Sequence, residues 1–359
     1  MTIIRLFLFP KICHNSIKRH FTEGYLLGHL LLGLLLFITP ASGLGFFNCE
    51  NTITVANSND PVARLIAHID HYFLTRGYDC AAQLVPGDNT SSIHRMVTRG
   101  QPDIISALWL NDAKKVVEKG VTDQRLLTIG DAVYPGGEEG FWMPDYMFKE
   151  YGVSASIHSI KQHVSVFSRP QNSERGVFYG CRPGWPCQTT VKQLFKALGL
   201  AEAKYDYSTL GSPTTFDQML AGLYEQKQPW FGYYRSPSVM LANYPMTKIG
   251  FNAGVLEEEF FTCTVDPACT NPKITQYPRS PIQTITTYGF AVEAGDAFSY
   301  LKNRTFSHQV LNSLLHWQHA NSASDKEATL HFLMNYEETW RPWVPRLVIG
   351  KIRRSLYPR

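Results

Sequence analysis

Residues 53–77 read ITVANSNDPVARLIAHIDHYFLTRG, and this stretch decides the fold class. Ile53-Thr54-Val55 starts a short strand. Val62, Leu65, Ile66, Ile69 and Phe73 then recur at helical spacing until Arg76-Gly77 stops the helix. Strand followed by helix is the unit of an α/β fold, and the unit repeats downstream. Ala81 to Val85 reads as a second strand, Ser91 to Arg99 as a polar helix, and Ile104 to Leu110 as a buried strand after Pro102-Asp103. The alternation predicts an α/β lobe built on a mostly parallel sheet.

The pattern breaks at Tyr134-Pro135-Gly136-Gly137 and resumes with a helix at Val191 to Leu198 and a strand at Trp230 to Tyr234. It changes again near Pro281, where Thr284 to Val292 reads as a strand. This organisation predicts a second lobe, 138–283, inserted into a first lobe made of 44–137 and 284–359. Two chain crossings, near Gly137 and Pro281, would leave a hinged cleft, a favoured place for a small ligand. Past Trp343, the basic residues Arg346, Lys351, Arg353, Arg354 and Arg359 with little apolar periodicity predict a loosely held tail.

At the other end, Arg5, Lys11, Lys18 and Arg19 precede an apolar run from Tyr25 to Ile38 and the small residues Ala41-Ser42-Gly43. An apolar run of about fifteen residues with these flanks reads as an export signal, so 1–43 is expected to be removed. The rival reading is a retained anchor, but a bilayer crossing needs roughly 20 apolar residues. Loss of the leader removes four basic residues and one acid, taking the formal charge from +4 to +1. That balance offers no basic surface for nucleic acid.

Six cysteines follow the cut, at Cys49, Cys80, Cys181, Cys187, Cys263 and Cys269. An even count in an exported chain points to disulfides. The spacing pairs Cys181 with Cys187 and Cys263 with Cys269, leaving Cys49 with Cys80. Zinc held by the two six-residue pairs is the alternative, although zinc ligands usually stand two to four residues apart. His68 with His71 and His316 with His319 share helical faces without a carboxylate or cysteine beside them, so no metal or cofactor is expected. The chain has no HExxH, no GxSxG elbow and no phosphate-binding glycine loop, which argues against the common enzyme classes.

Three segments place aromatic residues beside glycine, proline or a turn: Ala107 to Leu110, Gly180-Cys181-Arg182-Pro183-Gly184-Trp185-Pro186-Cys187, and Trp230 to Pro237. A tryptophan inside a six-residue disulfide loop is held rigid and loses little entropy when it meets a ligand. These segments join the helix into Arg76-Gly77-Tyr78, Leu84-Val85-Pro86, Gly100 through Trp109, Glu139-Gly140-Phe141-Trp142 with Pro144, and Leu198-Gly199-Leu200. In this order, from about Ile53 to Trp343, the chain resembles the glycine betaine and proline-betaine binding proteins of the OpuAC or ProX type.

The resemblance implies a two-lobed, type II periplasmic-binding-protein (Venus-flytrap) fold. It implies an aromatic cage around a quaternary ammonium, with N–H groups holding the carboxylate. It also implies delivery of the osmolyte to an ABC permease, and through it to an ATPase, by a periplasmic monomer that is not an enzyme. A ligand-sensing subunit is the alternative with the same fold. Each ring of such a cage contributes about 0.5 to 2 kcal/mol once desolvated. By motif, Trp109 and Trp185 match two cage positions.

Two positions depart from the family. Where a third aromatic is usual, this chain has Arg235 before Ser236-Pro237, with Tyr234 beside it, and Pro186 has no N–H to give, leaving only that of Cys187. An arginine about 5 Å from a trimethylammonium costs on the order of 3 kcal/mol at an effective dielectric near 20. Either Arg235 turns away, or the ligand carries an anion there, with Asn59 and Asp60 on the opposite side to meet an ammonium. A carboxylate-bearing amino compound gripped by Arg235 is therefore the second ligand class, and Asp60 has an alternative role as a helix cap.

Overall fold

The computed structural model describes Cys49 and residues 51–357, apart from 170–171, 183–184 and 210–212. The export signal expected over 1–43 lies outside the described residues, as do Pro183 and Gly184 of the disulfide loop.

The predicted first units form in order: strand β1 (Ile53–Ser58), helix α1 (Pro61–Tyr72), β2 (Ala82–Gly87), α2 (Asn89–Arg99), β3 (Ile104–Trp109) and α3 (Leu110–Thr122). Asp60 caps α1, its carboxylate accepting from the Ala63 N–H at 2.8 Å, and Pro61 supplies a preset first helical position. The apolar face of α1 buries Leu65, Ile66 and Ile69 completely. Then comes β4, a long strand from Leu126 to Pro144, and the segment Tyr134 to Gly137 lies within it rather than interrupting it.

Seven further strands follow: β5 (Ser168–Arg169), β6 (Asn172–Tyr179), β7 (Tyr205–Ser208), β8 (Gly232–Ser236), β9 (Met246–Lys248), β10 (Ser280–Thr287) and β11 (Phe306–Ser307). The first sheet has the order β2-β1-β3-β10-β4, with β11 on β4. Its β1, β2 and β3 are parallel, while β10 runs antiparallel to both β3 and β4. The second sheet has the order β4-β8-β6-β5, with β7 on β6 and β9 on β4. β4 therefore belongs to both sheets: up to Gly137 it pairs with β10, and from Glu138 on it pairs with β8.

Each sheet has its own core. One centres on α1, Tyr300, Phe306, Trp340 and Trp343, and the other on Phe141, Phe178, Phe231 and the Cys181 to Cys187 loop. Complete burial of such aromatic side chains is the main favourable contribution to each core. The three disulfides form as paired from the sequence, Cys49 with Cys80, Cys181 with Cys187 and Cys263 with Cys269.

Two expectations need correction. The strand read at Thr284 to Val292 stops at Thr287, because the Thr287 hydroxyl accepts the Phe290 N–H at 3.3 Å and starts the helix Tyr288–Glu293. The tail read past Trp343 is a docked helix, Arg346–Leu356. Its two apolar residues four apart, Val348 and Ile352, are fully buried. They sit over Gly77, where a Cβ would come within 2.8 Å of Val348. A single glycine admits the helix, and Ile349 and Leu356, packed at the edge of the same core, and the ion pairs of Lys351 with Asp79 and Arg353 with Glu337 add to its hold.

Candidate ligand-binding site

A cavity of about 520 Å³ lies where residues of the two sheets face each other. Its wall on the first sheet includes Asn59, Asp60, Asn89, Trp109 and Lys114, and its wall on the second includes Trp185, Thr189, Thr190, Arg235 and Phe261. Lys114 of the first wall reaches Phe261 of the second, with Nζ 4.0 Å from the centre of its ring.

Trp109 ends β3 and Trp185 sits in the Cys181 to Cys187 loop, so the indoles come from the two different sheets. The space between them holds the Arg235 guanidinium, whose central carbon lies 4.6 Å from the Trp109 ring and 3.8 Å from the Trp185 ring. Arg235 does not turn away from the cage, one of the two expectations for it; it fills the cage. Asp60 pairs with the same guanidinium through Oδ2 while Oδ1 caps α1, so both roles read for Asp60 are present in one side chain. Arg235 and Asp60 are each only 5% exposed, and a charge pair so poorly hydrated depends on the match between its partners.

Backbone pairing fixes where Arg235 stands. Arg235 is opposite Glu139 in the β4–β8 ladder, and the Trp142 indole N–H donates to the Tyr234 carbonyl at 3.1 Å. The Glu139 carboxyl accepts from the Tyr233 hydroxyl, and burial raises its pKa against the opposing pull of that bond, Arg235 and Lys248. Lys248 shifts down, again by burial first. Gly137, at the junction of the two sheets, is required by the cage itself, because a Cβ there would come within 2.2 Å of the Trp109 ring.

Behind Trp185 lies a second guanidinium, that of Arg182, with its central carbon also 3.8 Å from the Trp185 ring. Arg182 pairs with Asp217 at 3.0 Å and donates to the Tyr234 hydroxyl at 3.2 Å, and that hydroxyl in turn donates to Asp217. Burial raises the Asp217 pKa, with Arg182 opposing, and it raises that of Tyr234 well above the usual phenol range.

Of the residues expected at the site, Asn59, Asp60, Trp109, Trp185 and Arg235 line one cavity. Tyr234 and Cys187 are buried behind it, Tyr234 in the Arg182 and Asp217 network and Cys187 in its disulfide at the start of the helix Gln188–Ala197. Arg182 and Asp217 went unread in the sequence. Arg182 stands three residues before Trp185 in a closed loop, a spacing from which its stacking was inferable, whereas Asp217 is a distant helix residue with no local signal.

Neither Trp109 nor Cys187 caps its helix with a side-chain oxygen. The first turns of α3 and of Gln188–Ala197 thus bring two helix N-termini, each with partial positive charge, to the cavity wall through Asn111, Thr189 and Thr190. The cavity can therefore hold an anionic group near these turns and beside Arg235. Among the described residues no cluster of three or more His, Cys, Asp or Glu is placed to hold a metal.

The model of the OpuAC family, the substrate binding domain of ABC-type glycine betaine transport systems, matches residues 51–335. The chain belongs to the OpuAC family. The family is one of transporter solute-binding proteins rather than enzymes. No curated protein sequence matches the chain. Among solved structures, this OpuAC-family chain is similar to the glycine betaine, L-proline binding protein ProX of Borrelia burgdorferi, with a TM-score of 0.64 and 14% identity over 84% of this chain and 100% of that one. An ABC-transporter choline binding protein in complex with choline gives a TM-score of 0.64 at 13% identity, covering 85% of this chain and 98% of that one. Lactococcal OpuAC, closed on glycine betaine, gives 0.61 at 15% identity, covering 82% and 100%. The shared feature is the fold, that of the two-lobed binding proteins.

Proposed function

We propose that this chain is the solute-binding subunit of an ABC importer and captures a small zwitterionic amine of the glycine betaine class in its interlobe cavity for delivery to the permease. The observation that carries the reading is the pair of indoles from opposite sheets closing on the Arg235 guanidinium beside Asp60, at the wall of a cavity of about 520 Å³. The lobes are 44–137 with 284–359, and 138–283, and they flex where β4 passes Gly137 and where the chain returns near Pro281. Ligand shifts the balance toward the closed form only by the contacts it makes when both lobes touch it. Trp109 and Trp185 act on the ligand through the Arg235 guanidinium they hold, which meets its carboxylate, with Asn59 at the rim, while Tyr234 and Cys187 hold the Trp185 loop in position.

Arg235 in the cage favours a solute with a carboxylate, such as a betaine, carnitine or an amino acid, over choline, which carries no anion. Removal of the leader would leave the protein in the periplasm, working as a monomer. No helix among the described residues is long and apolar enough to cross a membrane.

The test is a titration of purified protein lacking 1–43 with glycine betaine, proline betaine, carnitine, choline and amino acids, following tryptophan fluorescence with a thermal-shift control. Micromolar binding of a carboxylate-bearing amine, about 8 kcal/mol, is the expected result. Absence of binding by the whole panel would overturn the ligand class.

A further inference from the structure

The cage already contains a cation that belongs to the chain. In a cage of two indoles, a ligand cation gains its binding by lying against both rings and near a carboxylate. Arg235 does all three: it lies against Trp109, against Trp185, and is paired with Asp60. It also joins the two halves of the molecule as a ligand would, since Arg235 is on β8 of the second sheet and Asp60 follows β1 of the first.

No other face of Trp185 is open to a ligand. The carbons of Arg182 and Arg235 are each 3.8 Å from its ring centre, and two guanidinium groups at that distance cannot share a face without overlap of their nitrogens. They therefore sandwich the indole. Arg182 is held in turn by Asp217 and Tyr234, so a ligand cation that needs Trp185 must expel Arg235 from the other face. One that settles beside Arg235 instead, about 5 Å away, is weakened by like-charge repulsion on the order of a hundredfold at an effective dielectric near 20.

We propose that Arg235 is a tethered occupant of the aromatic cage and the residue that sets ligand specificity, closing the cage to cations that lack an anion and admitting a solute only by its carboxylate. The inference rests on the cavity being the ligand site, as proposed above. It goes further in assigning the cage to the chain's own guanidinium and the adjoining chamber, walled by Asn89, Lys114, Thr189 and Thr190, to the solute.

The experiment compares the mature chain with its Arg235→Ala and Arg235→Gln variants, using tetramethylammonium and guanidinium chloride as probes and tryptophan fluorescence and calorimetry as readouts. Both probes are cations without a carboxylate. The unsubstituted chain is expected to show no saturable binding of either, and the variants to bind both at least tenfold more tightly, as the vacated cage accepts a free cation. Equal binding of tetramethylammonium by all three proteins overturns the proposal.

A second measurement is read on the unsubstituted chain. The Arg235 Nε–H proton of the ligand-free chain should resonate upfield of other arginines, because it lies over indole faces, and an Arg235→Lys variant assigns it. Absence of an upfield arginine resonance overturns the proposal. If the resonance is present and the variants gain the probes, yet the unsubstituted chain binds no carboxylate-bearing amine, the tethered cation stands and the ligand class proposed above falls. If the unsubstituted chain binds choline tightly and the resonance is lost, the transport reading stands and the tethered cation falls.

Discussion

Of the arginine–aspartate pairs among the described residues, Asp70 with Arg304 and Asp60 with Arg235 are alike in chemistry and opposite in setting. Arg304 and Asp70 are both completely buried within the first core, joined by two bonds of 3.0 Å. The Tyr300 hydroxyl donates to Asp70, and Arg304 donates to the Ser106 carbonyl and the Thr284 hydroxyl. These partners belong to α1, β3, β10, the helix Gly295–Asn303 and the segment leading to β11, so folding of one unit completes the pair. Asp60 and Arg235 come from different sheets, stand between two indoles and border a cavity. The first pair is a fixture of a core, whereas the second exists only when two halves meet. The same two side chains thus stand inside one unit in one place and between two in the other, and under the proposed function the second place serves recognition.

The largest expected effect tests the fixture. Replacing Arg304 by Met leaves Asp70 buried without its cation and should cost about 3–5 kcal/mol, read as a lowered denaturant midpoint with the slope unchanged, while any folded fraction keeps its ligand affinity. A loss below 1 kcal/mol would erase the distinction between the two pairs.

Next in size, Gly137→Ala places a methyl group where the Trp109 ring stands. It should displace that indole and weaken ligand binding by about tenfold, roughly 1.4 kcal/mol, measured by calorimetry. Unchanged affinity would show that the ligand does not depend on the position of Trp109.

The smallest effect concerns the buried carboxyl beside the cage. Burial raises the Glu139 pKa, so the native state holds its proton more tightly than the unfolded chain does. The stability this contributes is present below the ordinary glutamate value of 4.5 and is lost as pH rises through the raised value. Glu139→Gln keeps an acceptor for the Tyr233 hydroxyl without the charge. It should raise the melting temperature at pH 8 by about 2–4 °C, the equivalent of roughly 1 kcal/mol, and flatten the fall in stability above pH 4.5. A melting curve with the same pH dependence in both proteins would assign that fall to another group.

The opening elements of the first sheet were legible because β-branched runs and helical spacing are local signals, and β1, α1, β2 and β3 formed close to where they were read. Two disulfide pairs were legible for the same reason, since a separation of 6 leaves few partners, and Cys49 with Cys80 followed by elimination. The docked helix Arg346–Leu356 was not, because its burial depends on Val348 and Ile352 meeting Gly77, about 270 residues earlier in the chain. Nor was the partner of Arg182: Asp217 lies on another helix and is brought to it only by packing.

The sequence by itself determined the α/β class, the pairing of the cysteines, the two indoles and the presence of an arginine where a third ring is usual. Tertiary structure decided what that arginine does. The strand read at Trp230 to Tyr234 stopped one residue short of it, whereas β8 runs from Gly232 to Ser236, and the direction of its side chain depends on Trp109, Trp185 and Asp60 arriving from three separate segments and two sheets. A charge is placed by the sum of its surroundings, and here those surroundings are assembled only by the complete fold.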